Sequence, residues 1–129
     1  MHHNLLGFRI YDIINKKSEK GIKSNMIDIE TIKPEIIDRL KSLNLDKIIL
    51  FGSYAYGKPT KDSDIDLFLV KDENEDNIEA LALVKLRDLM KKYKIGFDVL
   101  SASNEFLIQR EDPFYKIDIL SKGKVIHGQ

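Results

Sequence analysis

Asp64-Ile65-Asp66 is the first place in this sequence where side chains are spaced for chemistry. The triplet opens an apolar run, Ile65 to Val70, that reads as a strand. Alternate side chains of a strand share a face, so Asp64 and Asp66 point one way and Ile65 the other. Two carboxylates held that close repel, and a cation between them relieves the repulsion. Oxygen ligands without cysteine or histidine suit a hard ion, Mg²⁺ or Mn²⁺. Asp98 interrupts a second apolar run, Phe97 to Leu100, where a carboxylate buried without a partner is costly. If that strand lies beside the first, Asp98 joins Asp64 and Asp66, and three carboxylates can hold two ions for phosphoryl transfer. The plainer alternatives are a turn-capping Asp64, a solvated Asp66 and an edge-strand Asp98 facing water.

A second group lies just upstream. Gly52-Ser53 follows Lys47-Ile48-Ile49-Leu50-Phe51, a dense apolar run that reads as a buried strand. Glycine lets a bulky anion approach the backbone. The N–H groups opening the next turn favour negative charge, and the Ser53 hydroxyl adds a donor. A triphosphate tail needs these features, although a Gly-Ser pair alone is usually an ordinary turn. Tyr54 to Gly57 reads as one helical turn and Lys58 to Ser63 as a polar loop. Tyr54 and Tyr56 read as packing residues, with a stacking surface for a base as the alternative. Asp62 and Ser63 read as loop and capping residues.

The remaining elements must position these groups. A helix is expected to open at Pro34, with Ile36, Ile37, Leu40 and Leu43 as its apolar stripe and Asn44 at its exit. Asp76 and Glu79 have capping-box spacing ahead of a long helix. That helix turns Ile78, Leu81, Ala82, Leu86, Leu89, Met90 and Tyr93 inward and ends in a lysine-rich turn and Gly96. Asp112-Pro113 starts a short helix through Leu120, Gly123 stops it, and Lys124 to His127 form an edge strand. His127 reads as a surface residue of that strand, and the acidic run Asp72 to Asp76 as a solvated turn. The pattern predicts one small α/β domain, a mixed sheet flanked by helices. Residues 1–25 read as an extension, with helix-like spacing of Leu6, Ile10, Ile13 and Ile14 and a polar linker from Lys16 to Gly21. The domain proper runs over residues 26–129.

Composition narrows the function. The chain has 129 residues, 43 % hydrophobic, enough for a modest core. Its 21 Lys plus Arg balance 21 Asp plus Glu, so the basic excess of a duplex-DNA binder is missing. There are no cysteines, which removes disulfides and thiolate metal sites and fits a reducing, cytoplasmic setting. No apolar run approaches the ~20 residues that cross a bilayer.

Gly52-Ser53, ten intervening residues, Asp64-x-Asp66 on a strand and a third aspartate, Asp98, on a later strand together resemble the polymerase-beta-like nucleotidyltransferase superfamily. The short chain is similar to its minimal nucleotidyltransferase (MNT) branch, and Pro113-Phe114-Tyr115 and the ending from Gly123 to Gly128 look like that branch's C-terminal element. The resemblance implies a polymerase-beta-like palm fold and transfer of a nucleoside monophosphate, AMP from ATP, onto an acceptor. It implies that Gly52 and Ser53 hold phosphates, that Asp64 and Asp66 ligate two Mg²⁺ (or Mn²⁺) ions, and that Asp98 completes the catalytic ion's site. Tyr56 departs from the branch's Gly-Ser-x-Ala-Arg-Gly pattern, leaving Lys58 or Lys61 to supply the cation. Members of the branch pair with helical HEPN proteins as antitoxins, so a hetero-oligomer with a HEPN toxin as acceptor is implied. A non-catalytic module that covers a partner and a small-molecule nucleotidyltransferase are the other readings.

Overall fold

The computed structural model describes residues 27–72 and 77–128. The expected extension and its linker, and Asp76 of the expected capping box, lie outside them. Helix α1 spans Ile29–Leu40, starting five residues before Pro34. Asp28 explains the earlier start: its carboxylate accepts the Glu30 N–H at 3.1 Å and caps the helix. Pro34 therefore sits inside the helix, on an exposed side. Ile32, Ile36 and Leu40, one turn apart, are fully buried. A single tight turn over Lys41–Leu43 follows, and Asn44 closes it with φ 53°.

Strands β1 (Lys47–Phe51), β2 (Ile65–Val70), β3 (Phe97–Ala102) and β4 (Lys124–Gly128) form one mixed sheet in the order β3-β2-β1-β4. β1 runs antiparallel to β2 and to β4, whereas β2 and β3 are parallel. The parallel pair needs a crossover, and helix α3 (Ile78–Tyr93) provides it. A one-turn helix α2 (Ser53–Tyr56) separates β1 from β2. Helices α4 (Asn104–Gln109) and α5 (Phe114–Ser121) follow β3. α5 is wide, with the Lys122 N–H reaching back to the Ile117 carbonyl at 2.7 Å.

The strands divide their side chains between two faces. On one face Ile48, Leu50, Ile65, Leu67, Leu69, Phe97 and Val99 pack against α1 and α3 in the main core. On the other, Ile49, Phe51, Phe68 and Val70 meet Leu107 of α4 and Ile119 of α5. Asp66 and Asp98 belong to this second face.

Several expectations change. Leu81, read as inward, is 42 % exposed; the α3 stripe instead uses Ile78, Ala82, Leu86 and Leu89. Asn77 precedes α3 in a left-handed conformation with no side-chain cap, and Glu79 accepts a hydrogen bond from the Ser101 hydroxyl at 3.0 Å. Lys94, not Gly96, takes the left-handed position that closes α3. β3 continues two residues past Leu100. Helix α4 was not foreseen, although Ser103 marks it by accepting the Phe106 N–H at 3.1 Å.

Candidate active site

The site is built where β1 ends and β2 begins. Phe51, the last residue of β1, pairs with Asp66 of β2. Gly52 then turns the chain with φ 77° and ψ −163°, a region that in practice only glycine occupies. A Cβ at this position would stand 2.0 Å from Asp66 Oδ2. Gly52 is thus required twice, by its own backbone and by the carboxylate that leans over it. Its carbonyl accepts the Ala55 and Tyr56 N–H groups, which tightens α2 into a single turn. Gly57 closes that turn with φ 82°.

The polar loop delivers Asp64. Thr60 N–H donates to Ser63 Oγ at 2.8 Å, Ser63 N–H to Thr60 O at 3.0 Å, and Asp62 N–H to Thr60 Oγ1 at 3.2 Å. The loop therefore binds itself through Thr60, Asp62 and Ser63. Ile65 N–H then bonds Gly96 O at 3.0 Å and starts the parallel pairing.

That pairing sets Asp66 directly beside Asp98. Burial raises the Asp66 carboxyl, the Asp98 charge and a hydrogen bond with Asp98 raise it further, and Asp64 adds to the effect, to about 7. Asp64 is half-buried, with its Oδ1 closed off from solvent. Among the described residues, no three acidic or histidine side chains already converge tightly enough to enclose an ion. Asp66 and Asp98 adjoin, and Asp64 reaches Asp66 through its charge. The donor chemistry still fits a hard divalent cation. Every donor is a carboxylate oxygen, and burial and carboxylate repulsion, which together raise Asp66, are both offset by a bound cation.

Ser53 opens α2 and is half-buried, next to Gly52. Lys58 and Lys61 lie exposed on the loop after α2, and no described hydrogen bond or ion pair draws either ammonium toward the carboxylates. Tyr54 is buried in the main core, and its hydroxyl receives the Ile27 N–H at 3.4 Å. Tyr56 is 37 % exposed, and its hydroxyl donates to the Asp118 carbonyl of α5 at 2.9 Å. It ties α2 to α5. Sequence reasoning had no signal for that tie, because the acceptor is a backbone carbonyl 62 residues away. Burial pushes the Tyr56 phenol up, the Gly52 backbone N–H opposes this, and the Asp118 and Asp66 charges push it further up.

The nucleotidyltransferase domain family matches residues 33–126, a span containing every one of these side chains. This chain belongs to that family. Two proteins of Methanocaldococcus jannaschii, both named "Putative protein adenylyltransferase", are similar to this nucleotidyltransferase. MJ0604 is 32 % identical over 96 residues, covering 72 % of this chain and 92 % of its own. MJ0141 is 33 % identical over 72 residues, covering 56 % and 69 %. A toxin–antitoxin solved with AMP-PNP shares the fold at TM-score 0.55 and 24 % identity, over 75 % of this chain and 73 % of that one. So does the complex of a tri-AMPylated Shewanella oneidensis HEPN toxin with MNT antitoxin, at TM-score 0.51 and 21 % identity, over 79 % and 74 %. Among the described residues no helix is long and apolar enough to cross a membrane.

Proposed function

We propose that this nucleotidyltransferase moves AMP from ATP onto a HEPN-family protein and is the antitoxin member of a toxin–antitoxin pair. The observation that carries the reading is the Asp66–Asp98 pair set against Gly52 on one face of the sheet. The names of the Methanocaldococcus relatives support protein as the acceptor. The fold shared with an AMPylated HEPN toxin's partner supports the pairing, and with it a cytoplasmic hetero-oligomer.

Each residue has a role in this reading. Gly52 leaves room for the triphosphate, and the Ser53 hydroxyl donates to it. Lys58 and Lys61, exposed on the adjoining loop, offset its charge. Asp64, Asp66 and Asp98 hold Mg²⁺ ions (Mn²⁺ in their place). When bound, such ions neutralise the phosphates and acidify the acceptor hydroxyl. Asp98, half-buried on strand β3 at the sheet edge, takes the hydroxyl proton. The acceptor oxygen bonds to the α-phosphorus, the α–β bridging bond breaks, and pyrophosphate leaves.

The second reading, a module that neutralises its partner by covering it, is favoured by Tyr56. A phenol engaged with Asp118 O is a poor phosphate ligand compared with a guanidinium fork. One experiment separates the two. The protein is mixed with ATP, Mg²⁺ and a candidate HEPN-family protein, and intact masses are recorded. A gain of one AMP on the partner, lost with Asp64→Asn, supports transfer. A stable complex without mass gain supports covering.

A further inference from the structure

Tyr56 does more than connect two helices. Its hydroxyl is held by the Asp118 carbonyl, so the ring has a fixed position beside the Gly52 turn. The Tyr56 N–H bonds the Gly52 carbonyl at 3.0 Å, which roots this side chain on the turn that Asp66 leans over. The Lys122 ammonium lies over the ring, 5.5 Å from its centroid. Lys122 closes α5 through its backbone N–H, bonded to Ile117 O at 2.7 Å. Its backbone is therefore anchored while its exposed side chain stays free to extend. An aromatic face attracts an ammonium and biases a flexible chain toward it without neutralising it. Lys124, two residues on, pairs with Leu50 of β1, so Lys122 lies toward the Gly52 end of that strand, with the Tyr56 ring as its rest.

From this placement we infer that Lys122 is a triphosphate-binding residue, stationed at the Gly52–Ser53 cradle by the Tyr56 ring. The inference rests on the nucleotidyltransferase reading of the cradle and adds to it a cation from the far end of the chain. Lys58 and Lys61 sit exposed on a polar loop, whereas Lys122 rests against the Tyr56 ring of α2. A lysine here acts as a point charge on the β and γ phosphates and leaves the nucleoside and α-phosphate untouched.

Calorimetric titration of the full chain with MgATP and, separately, with MgAMP tests this. Lys122→Ala should weaken MgATP binding about tenfold and MgAMP binding less than about twofold. Lys122→Arg should keep MgATP binding within about threefold of wild type. The MgATP loss should shrink as salt rises, because the group acts through charge. Melting curves of both variants establish that they are folded. Unchanged MgATP binding in Lys122→Ala overturns the inference while leaving the cradle's function standing. Equal loss of MgATP and MgAMP also overturns it, since that is a distorted site and not a missing charge. If wild type binds neither nucleotide, the reading of the cradle falls and this inference falls with it.

Discussion

The two faces of the sheet are built to different rules. The face under α1 and α3 centres on an apolar core: Leu67, Leu69, Leu86 and Leu89 are completely buried, and the charged groups of α1 and α3 pair above it on the surface. The face under α4 and α5 is closed at one end by Phe68, Val70, Leu107 and Ile119. At its other end it carries Asp66 and Asp98 side by side. One face accumulates burial, and the other accepts a repulsive pair of carboxylates that no optimally stable core would retain. Stability and chemistry are separable here by face, although they share the same strand. β2 alternates between them residue by residue, from Asp66 to Leu67 to Phe68.

The comparison breaks most sharply at β2. Asp66→Asn should lower AMP transfer about a thousandfold while raising the melting temperature of the metal-free protein near neutral pH. Transfer and melting curves on the same preparation check both halves. Leu86→Ala, on the opposite face, should cost about 2–5 kcal/mol of stability in urea unfolding. Its transfer rate per folded molecule should match wild type when assayed well below its transition. Gly52→Ala joins the faces' two rules, because its Cβ meets both a positive φ and Asp66 Oδ2. It should cost about 1–3 kcal/mol and about a hundredfold in transfer, read in the same two assays.

The smallest effect is a pH dependence. Asp66 in the folded chain keeps its proton up to about pH 7, whereas an unfolded aspartate releases it near about 4. Between these values the native state binds more protons, so stability is greatest at the acid end. It should decline as pH rises through this window and level off above it, by about 1–2 kcal/mol after solvent screening. Asp66→Asn should flatten the profile, and urea unfolding across the window measures it.

What the sequence disclosed follows the same division. β1, β2 and α3 were legible because unbroken apolar runs and a 3.6-residue stripe are local signals. Pro34 misled, since its reputation as a helix opener outweighed the weaker cap signal of Asp28. Leu81 misled because an amphipathic helix tolerates exposed leucine at the margin of its stripe. The Asp64-x-Asp66 spacing was visible, but Asp98 joined it only on condition that β3 lay beside β2. That adjacency is a long-range pairing across α3. The tie from Tyr56 to Asp118 and the rest position of Lys122 depend on how α5 returns to α2, which no local pattern encodes.

The central claim is that the carboxylate face performs the transfer and the apolar face does not. Its most direct test is ATP labelled on the α-phosphate, incubated with Mg²⁺, the HEPN partner and each of wild type, Asp66→Asn and Leu86→Ala, below the melting temperature of all three. Label should appear on the partner with wild type and Leu86→Ala and should be absent with Asp66→Asn. Equal labelling with Asp66→Asn, or none with wild type, would contradict it.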